Sequence, residues 1–188
     1  VLTIPKEKGV KTVIDNKVEE IKKHIEAIAD ILGIEKNASN ENTPLRVAKM
    51  YCNELFKNRN GANLEELNSR MKVFPNEGTT TPVTVSGIEF CSTCEHHWLP
   101  FMGNVTVSYV PDKSIIGLSK IPRVVKYFSQ RPQLQERLTN DIGNYLVNLL
   151  QPKSLEVKVT ATHTCVLCRG AESNCETSTL FEYRRDKE

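Results

Sequence analysis

Two short clusters of cysteine and histidine, far apart in the sequence, place the strongest constraint on how this chain can fold. The first runs from Cys91 to His97 and the second from His163 to Arg169. Thiolates and imidazoles are ligands that zinc prefers in proteins. Cys94 and His97 form a short ligand pair, and Cys165 can complete the site from a distant strand only if the fold brings the clusters together. Three protein ligands leave zinc one open position, which is typical of a catalytic site.

An open zinc site predicts hydrolytic chemistry. Zinc lowers the pKa of a bound water from its bulk value to near 7, so that hydroxide is available at neutral pH. His96 and His163 are not needed as ligands, and either could move a proton near neutral pH. This combination indicates hydrolysis of a C–N bond.

A closed structural zinc site is the competing interpretation. Cys91 and Cys94 form one Cys-x-x-Cys pair, and Cys165 and Cys168 form another. The two pairs are separated by far more than the roughly 15–20 residues that are common in such sites. We therefore favour the open site and interpret Cys91, Cys168 and Cys175 as bystanders.

Cationic residues near a predicted helix start suggest a site for an anion. Ser119 and Lys120 open this helix, where unpaired N–H groups and the positive end of the helix dipole attract phosphate. Arg123 lies in the same turn, and Arg46 and Arg169 could add bidentate contacts. An ordinary solvated helix start would have the same composition, so this signal is weak by itself.

A second weak signal is Gln135-Glu136 in the first turn of the next predicted helix. A carboxylate can accept hydrogen bonds from a paired N–H and NH2 edge such as that of guanine. Acidic residues also favour helix N-termini because of the dipole, so the pattern alone does not establish a ligand.

The predicted elements come in the order helix-helix, strand-strand, helix-helix, strand-strand. Such runs indicate an α+β fold with an antiparallel sheet. The strand over 157–165 alternates so that His163 and Cys165 share one face. The apolar phase of the first strand switches at Gly87, which predicts a bulge or a tight turn. The predicted helices are 13–32, 42–55, 119–128 and 133–149, and the strands are 83–90, 105–109, 157–165 and 176–183.

The overall composition suits a single catalytic domain, residues 61–188, preceded by an N-terminal helical segment, residues 1–60. The net charge of +2 indicates no general polyanion-binding surface, so we expect no nucleic-acid partner. No stretch resembles a membrane span or a leader peptide. Six cysteines beside histidines suggest metal ligands in a reducing compartment, which predicts a cytoplasmic protein.

Taken together, these motifs resemble those of the GTP cyclohydrolase I family. The resemblance extends over roughly residues 14–183, and five separated motifs occur in the family's order. The matching motifs are Thr43–Tyr51, Cys94–His97, Gly117–Ile121, Arg131–Thr139 and His163–Gly170.

The resemblance implies a reaction. Members of the family open the guanine ring of GTP at C8, release formate and rearrange the remainder to 7,8-dihydroneopterin triphosphate. Folate, biopterin and deazaguanine pathways start from this product. Two alternatives remain open: a non-catalytic protein of this fold that binds zinc and a purine nucleotide, or a related enzyme of pterin or deazapurine metabolism.

The resemblance also implies roles at the metal. Cys94, His97 and Cys165 would hold one zinc ion per subunit. His96 would donate a proton to the purine ring nitrogen during attack at C8. His163 would serve proton transfers in the later ribose steps.

Substrate contacts follow in the same way. Ser119 would assist His163, and Glu136 would anchor guanine with Gln135 beside it. The triphosphate would be held by four cationic residues, of which Arg46 comes from a neighbouring subunit: Lys120, Arg123, Arg169 and Arg46.

The fold implied by the resemblance is the tunnelling fold. It has an antiparallel four-stranded sheet with two helices on one face, preceded here by an N-terminal helical hairpin. Sheets from five subunits would join into a barrel, and two such rings would form a homodecamer with active sites between subunits. The segment after Gly170 is short and the family's final helix is not found, so we expect a compact member with a shortened C-terminus.

Overall fold

The computed structural model describes the backbone of residues 8–185 and the side chains of residues 16–185. The first residues of the predicted N-terminal segment and the last three of the predicted catalytic domain lie outside this range. The chain divides between Lys57 and Asn58 into two compact units. Within the described residues, none of the helices combines the length and apolar composition that crossing a bilayer requires.

The N-terminal unit consists of two packed helices, α1 (Lys8–Ile31) and α2 (Thr43–Met50). Helix α1 ends where Gly33 adopts a φ of +68°, a conformation that favours glycine and stops a helix. Pro44 lies in the first turn of α2 as predicted, since its missing N–H costs nothing there. A π-helical turn, Tyr51–Leu55, continues α2.

A five-stranded sheet forms the centre of the second unit, in the order β5-β2-β3-β6-β7. The four long strands pair antiparallel, which confirms the predicted α+β class. The fifth strand is only two residues long and pairs parallel to β2. It is too short to show any alternation in the sequence, and it was not predicted. The strands are β2 (Val83–Cys94), β3 (Pro100–Val110), β5 (Pro132–Gln133), β6 (Ser154–His163) and β7 (Glu176–Arg184).

A β-bulge at Gly87 explains the change of apolar phase in β2. Val85 pairs with Val107 and Ile88 pairs with Val105, so β2 contains one extra residue between these pairs. Gly87 has a φ of +68°. The strand is therefore continuous through the bulge, and no tight turn divides it.

Two helices cover the apolar side of the sheet. Helix α4 (Ile121–Ser129) packs on β2, and α5 (Gln135–Leu150) packs on β6 and β7. The stripe that α5 buries includes Leu146 and Leu150, whereas the neighbouring Tyr145 and Leu149 are only half buried.

The region 57–81, which its composition identifies as a loop, contains two small elements. Helix α3 (Leu64–Ser69) precedes strand β1 (Val73–Pro75), and β1 pairs with β4 (Ser114–Ile116). Three-residue strands leave no measurable alternation, so their pairing depends on tertiary contacts that the sequence pattern does not reveal.

The prediction that Cys165 lies on the same strand as His163 is wrong. Strand β6 ends at His163, which pairs with Phe101, and residues Thr164–Leu167 form a short helix, α6. Pro100 has no N–H to extend the ladder, and its carbonyl instead accepts a hydrogen bond from the Thr164 hydroxyl at 2.6 Å. The chain therefore turns at this point, and Cys165 lies in the first turn of α6.

Candidate active site

The turn between β2 and β3 carries the first cluster. Cys94 is the last residue of β2, and two backbone hydrogen bonds close the turn: from Cys94 N to Leu99 O and from Trp98 N to Cys94 O, each 2.8 Å. Cys94 is buried, whereas His96 and His97 are exposed on the turn. The strand end thus holds one ligand firmly and presents two imidazoles to solvent.

The structure brings the three predicted metal ligands together. The ligand atoms of Cys94, His97 and Cys165 all lie within 4.8 Å of one another. In a tetrahedral zinc site, metal–ligand distances of about 2.0–2.3 Å place such atoms roughly 3.5–3.8 Å apart. The three residues therefore fit a zinc ion after small adjustments, and two sulfurs with one imidazole are a suitable donor set.

The electrostatics of the two thiols favour a cation between them. Burial raises the pKa of Cys165, and its hydrogen bond to Cys94 and the charge of Cys94 raise it further. The nearby Arg169 opposes this rise in pKa. A bound metal ion stabilises thiolates directly, so metal binding would release protons from this group.

The four-thiolate alternative does not match this geometry. Cys91 lies three residues before Cys94 on β2, and its side chain therefore points to the opposite face of the strand. Cys91, Cys168 and Cys175 are all exposed, and none of them belongs to the group formed by Cys94, His97 and Cys165.

His96 lies beside the metal-ligand group. Its Nδ1 is 3.7 Å from the sulfur of Cys94, and its ring centroid is 6.3 Å from that of His97. Arg169 lies against the metal-ligand group, because its Nη1 donates to Nε2 of His97 at 2.8 Å.

His163 is held more firmly than His96. Its ring is half buried and stacks on Phe101, with centroids 4.6 Å apart and planes 1° from parallel. Its Nε2 lies 2.8 Å from Oε1 of Gln135. Burial lowers the pKa of His163, and the negative charge of Glu136 partly offsets this effect.

Two of the four residues predicted to hold the triphosphate, Lys120 and Arg123, lie at the start of α4. Ser119 and Lys120 lie in a 3-10 turn, Leu118–Lys120, and Arg123 is exposed in the first turn of α4. The other two are Arg169, beside the metal-ligand group, and Arg46, which is exposed on α2 of the N-terminal unit.

Ser119 does not cap this helix, although serine is a common N-cap residue. The N-cap residue of α4 is Lys120, and no side chain caps this end. Pro122 lies in the first turn, where its fixed φ and missing N–H favour a helix start without a hydroxyl cap.

Comparison with known proteins decides the family. The model of the GTP cyclohydrolase I family matches residues 21–186 of this chain. The chain belongs to the GTP cyclohydrolase I family. It is accordingly an enzyme, and the resemblance inferred from its motifs is confirmed.

Individual relatives agree with this membership. GTP cyclohydrolase 1 of Blochmanniella pennsylvanica is 41% identical over 88% of this chain and 75% of its own length. That of Wigglesworthia glossinidia brevipalpis is 43% identical over 87% of this chain and 75% of its own length. A crystal structure of the archaeosine synthase QueF-Like in the apo form matches at a TM-score of 0.45 and 17% identity, over 60% of this chain and 100% of that one. This last likeness is too slight to carry a conclusion.

Sequence reasoning missed one contact that supports the site of this family member. Glu95, between the two ligands of the turn, forms a two-point ion pair with Arg137 of α5 at 2.5 and 3.1 Å. The hydrogen bonds and charge of Arg137 lower the pKa of Glu95. No local pattern indicates a pair so far apart in sequence, although each residue lies in a motif that was recognised.

Gln135, which the resemblance places beside guanine, has a side chain that is buried and contacts other groups of the protein. The residue is 3% exposed. Its amide nitrogen lies 3.1 Å from the carbonyl oxygens of both Val159 and Thr177, and its oxygen faces His163. Both polar atoms of this side chain are therefore engaged by groups of the protein itself.

Proposed function

We propose that this enzyme opens the guanine ring of GTP at C8 with the aid of zinc, releasing formate and forming 7,8-dihydroneopterin triphosphate. The observation that carries this proposal is the convergence of Cys94, His97 and Cys165 within 4.8 Å in a member of this family. The exposed His96 beside them adds an acid–base group at the same place.

Cys94, His97 and Cys165 would hold one zinc ion per subunit. When bound, the ion supplies activation of water for attack at neutral pH. The buried Cys94 at the end of a paired strand and Cys165 in a short helix provide a rigid support for it. His97 lies on the exposed turn, so a metal ion held by these three residues would be accessible to solvent and substrate.

His96 is the proton donor to the purine ring in this proposal. It is exposed and next to Cys94, so a base placed at the metal would lie within its reach. An imidazole can donate near neutral pH without a large change in its surroundings. Proton donation to a ring nitrogen makes the neighbouring carbon more susceptible to attack.

His163 serves the later proton transfers of the ribose, with Ser119. The stacked and hydrogen-bonded ring of His163 has a defined orientation, which suits repeated transfers to and from one substrate position. Ser119 is exposed at the start of α4 and can reach a ligand there.

Glu136 anchors guanine, because an exposed carboxylate at the start of α5 can accept from the N–H and NH2 of the base. The triphosphate requires several cations, and a phosphate-binding set that includes a neighbouring subunit agrees with active sites between subunits. This set consists of Lys120, Arg123, Arg169 and, from the neighbouring subunit, Arg46.

The enzyme assembles as a homodecamer of two pentamers in this proposal, with residues 61–188 as the catalytic domain. Strand β7 is long and lies at the edge of the sheet. A long edge strand is stabilised when another strand covers it, and joining sheets between subunits would do so. A reducing location such as the cytoplasm suits thiols that serve as metal ligands.

The reaction is tested with purified protein, zinc and GTP. We expect formate and a pterin that becomes fluorescent after oxidation. His96→Ala should abolish turnover and leave zinc bound, whereas the control His24→Ala, at an exposed position of α1, should change neither. Full activity of His96→Ala would show that the proposed proton donor is wrong.

The metal site has a matched test. Cys165→Ser should lose zinc in elemental analysis of the purified protein. Cys91→Ser, on the opposite face of β2, should retain it. Zinc loss in both variants would contradict the three-ligand site.

A further inference from the structure

We propose that Gln135 is a positioning residue that holds one tautomer of His163, so that Nδ1 of His163 is the atom that exchanges a proton with the substrate. The inference rests on the proposed function for what His163 does, but the tautomer itself follows from the hydrogen bonds around Gln135. It replaces the expectation that the Gln135 side chain contacts guanine.

Two backbone carbonyls fix the orientation of the Gln135 amide. One end lies 3.1 Å from Val159 O and 3.1 Å from Thr177 O. Backbone carbonyls only accept hydrogen bonds, so this end must be the NH2 group, and both of its hydrogens are engaged. The reversed orientation would bring an amide oxygen against two carbonyl oxygens in a buried place, where neither kind of atom can donate.

The Gln135 amide determines which ring nitrogen of His163 carries the hydrogen. The remaining end of the Gln135 amide is the oxygen, which lies 2.8 Å from Nε2 of His163. An amide oxygen only accepts, so Nε2 must carry a hydrogen. A neutral imidazole has one N–H, and Nδ1 therefore holds the free lone pair. When the ring is protonated, Nδ1 is the nitrogen that gains the proton.

The His163 ring is held in one orientation by Gln135 and Phe101. Turning it over would exchange Nε2 for a carbon atom that cannot donate to Gln135, and this hydrogen bond would be lost. The parallel stack on Phe101, with centroids 4.6 Å apart, confines the ring plane. Since Phe101 is fully buried and pairs with His163 between β3 and β6, the support belongs to the rigid sheet.

The same hydrogen bonds explain why an amide, and not a carboxylate, occupies position 135. Glu136 is exposed to solvent, whereas residue 135 faces two carbonyl oxygens and one N–H in a buried place. Only a side chain with donors at one tip and an acceptor at the other satisfies all three. An ionised glutamate would bring an acceptor with no hydrogen against two carbonyl oxygens and would bury a charge.

The tautomer is measured directly by solid-state 15N NMR on zinc-loaded protein labelled at histidine. The chain has four histidines, and comparison with His163→Gln identifies the signals of His163. We expect a protonated nitrogen at Nε2 and an unprotonated one at Nδ1. A neutral His163 with its hydrogen on Nδ1 would overturn the inference.

Gln135→Leu removes the acceptor. We expect the signals of His163 to become a mixture of both tautomers, and kcat to fall about 2- to 10-fold, in proportion to the fraction of enzyme that no longer holds its hydrogen on Nε2. The KM for GTP should stay within about threefold, since this side chain contacts no substrate. An unchanged kcat with a raised KM would assign Gln135 to guanine binding and overturn the inference.

Glu136→Gln is the matched control at the neighbouring position. It should lower kcat/KM for GTP and leave the tautomer of His163 unchanged; a changed tautomer would show that Gln135 does not set it alone. The NMR measurement requires no turnover. If His163 has its hydrogen on Nε2 in the wild type and loses this preference in Gln135→Leu, but GTP is not consumed, the proposed function fails and the tautomer assignment stands.

Discussion

The two ends of the central sheet are built from different kinds of side chain. At the site end, where Cys94 and His163 lie, several buried residues are polar. At the opposite end, where β2 begins and β7 finishes, the buried residues that the structure describes are apolar apart from one tyrosine hydroxyl. The buried polar residues of the site end include Ser92, Thr93, Gln133 and Gln135, and the buried residues of the opposite end include Val107, Tyr109, Leu155 and Val157.

This contrast bears on which end of the sheet stabilises the fold and which end carries the candidate site. A buried polar group destabilises the fold unless it is hydrogen-bonded. Ser92 is satisfied, because its hydroxyl donates to Ser129 O at 2.9 Å. Within the described residues, however, the Thr93 hydroxyl and the Gln133 amide oxygen are buried without a partner. We therefore expect the site end to contribute less stability for its buried area than the opposite end does.

The largest loss of stability should come from a substitution at Gly103. This residue pairs with Ala161 between β3 and β6, and both strands extend from one end of the sheet to the other. A Cβ at this position would overlap Thr160 O and lie 2.7 Å from Ala161 Cα, and neither backbone atom can move without breaking the ladder. Gly103→Ala should cost about 3 kcal/mol or more and reduce the zinc content, as measured by urea unfolding and metal analysis. Gly117→Ala, with nearest atoms 3.6 Å away, is the control; equal stability of the two variants would contradict the packing.

Leu155→Ala tests the opposite end alone. Leu155 is 2% exposed, and its truncation should destabilise the protein by about 3 kcal/mol because it leaves a cavity. The folded fraction should still bind one zinc per chain, since no ligand is near. Urea unfolding and metal analysis measure the two effects. Loss of zinc from folded protein would show that the two ends are not separable.

Thr93→Val tests the site end, and here we expect the stability of the protein to rise instead of fall. The change keeps the shape of the side chain and removes a buried hydroxyl without a partner, so we expect stabilisation of about 1 kcal/mol in thermal unfolding. Thr84→Val is the matched control on the same strand, because its hydroxyl is exposed and hydrogen-bonds to Ser108 at 2.8 Å. Destabilisation by Thr93→Val would mean that this hydroxyl has a partner.

The smallest effect should come from the ion pair that joins the ligand turn to α5. The side chains of Arg137 and Glu95 are 47% and 31% exposed, and exposed pairs contribute about 0–1 kcal/mol. A double-mutant cycle with Glu95→Gln and Arg137→Met should give a coupling free energy in this range. A value above about 2 kcal/mol would show that the turn is a structural support of the whole domain.

Sequence patterns predicted the long elements because burial repeats along their full length. Strand β6 alternates over Val157, Val159 and Ala161, and all three are buried. The patterns failed at element ends, where one local contact decides the outcome. Thr164 continues the alternation in sequence, yet Pro100 cannot extend the ladder and the chain turns.

The candidate site was predictable in its ligands but not in its supports. Cys94, His97 and Cys165 have side chains with a chemistry of their own, so their types and grouping indicated a metal. The contact of Gln135 with His163 depends on the two carbonyls from β6 and β7 that orient the amide. Those carbonyls belong to the backbone, and no residue type in the sequence marks them.

The bulge at Gly87 has a consequence for how this strand can change in length. Side chains alternate along a strand, so the single extra residue lets Val83 and Val85 before it, and Phe90 and Cys94 after it, all face the helices. Removing one residue here would turn Cys94 to the far side of the sheet, away from its metal partners. Length changes of an odd number of residues between the start of this strand and its cysteine should therefore be excluded in functional variants, whereas paired insertions preserve the parity.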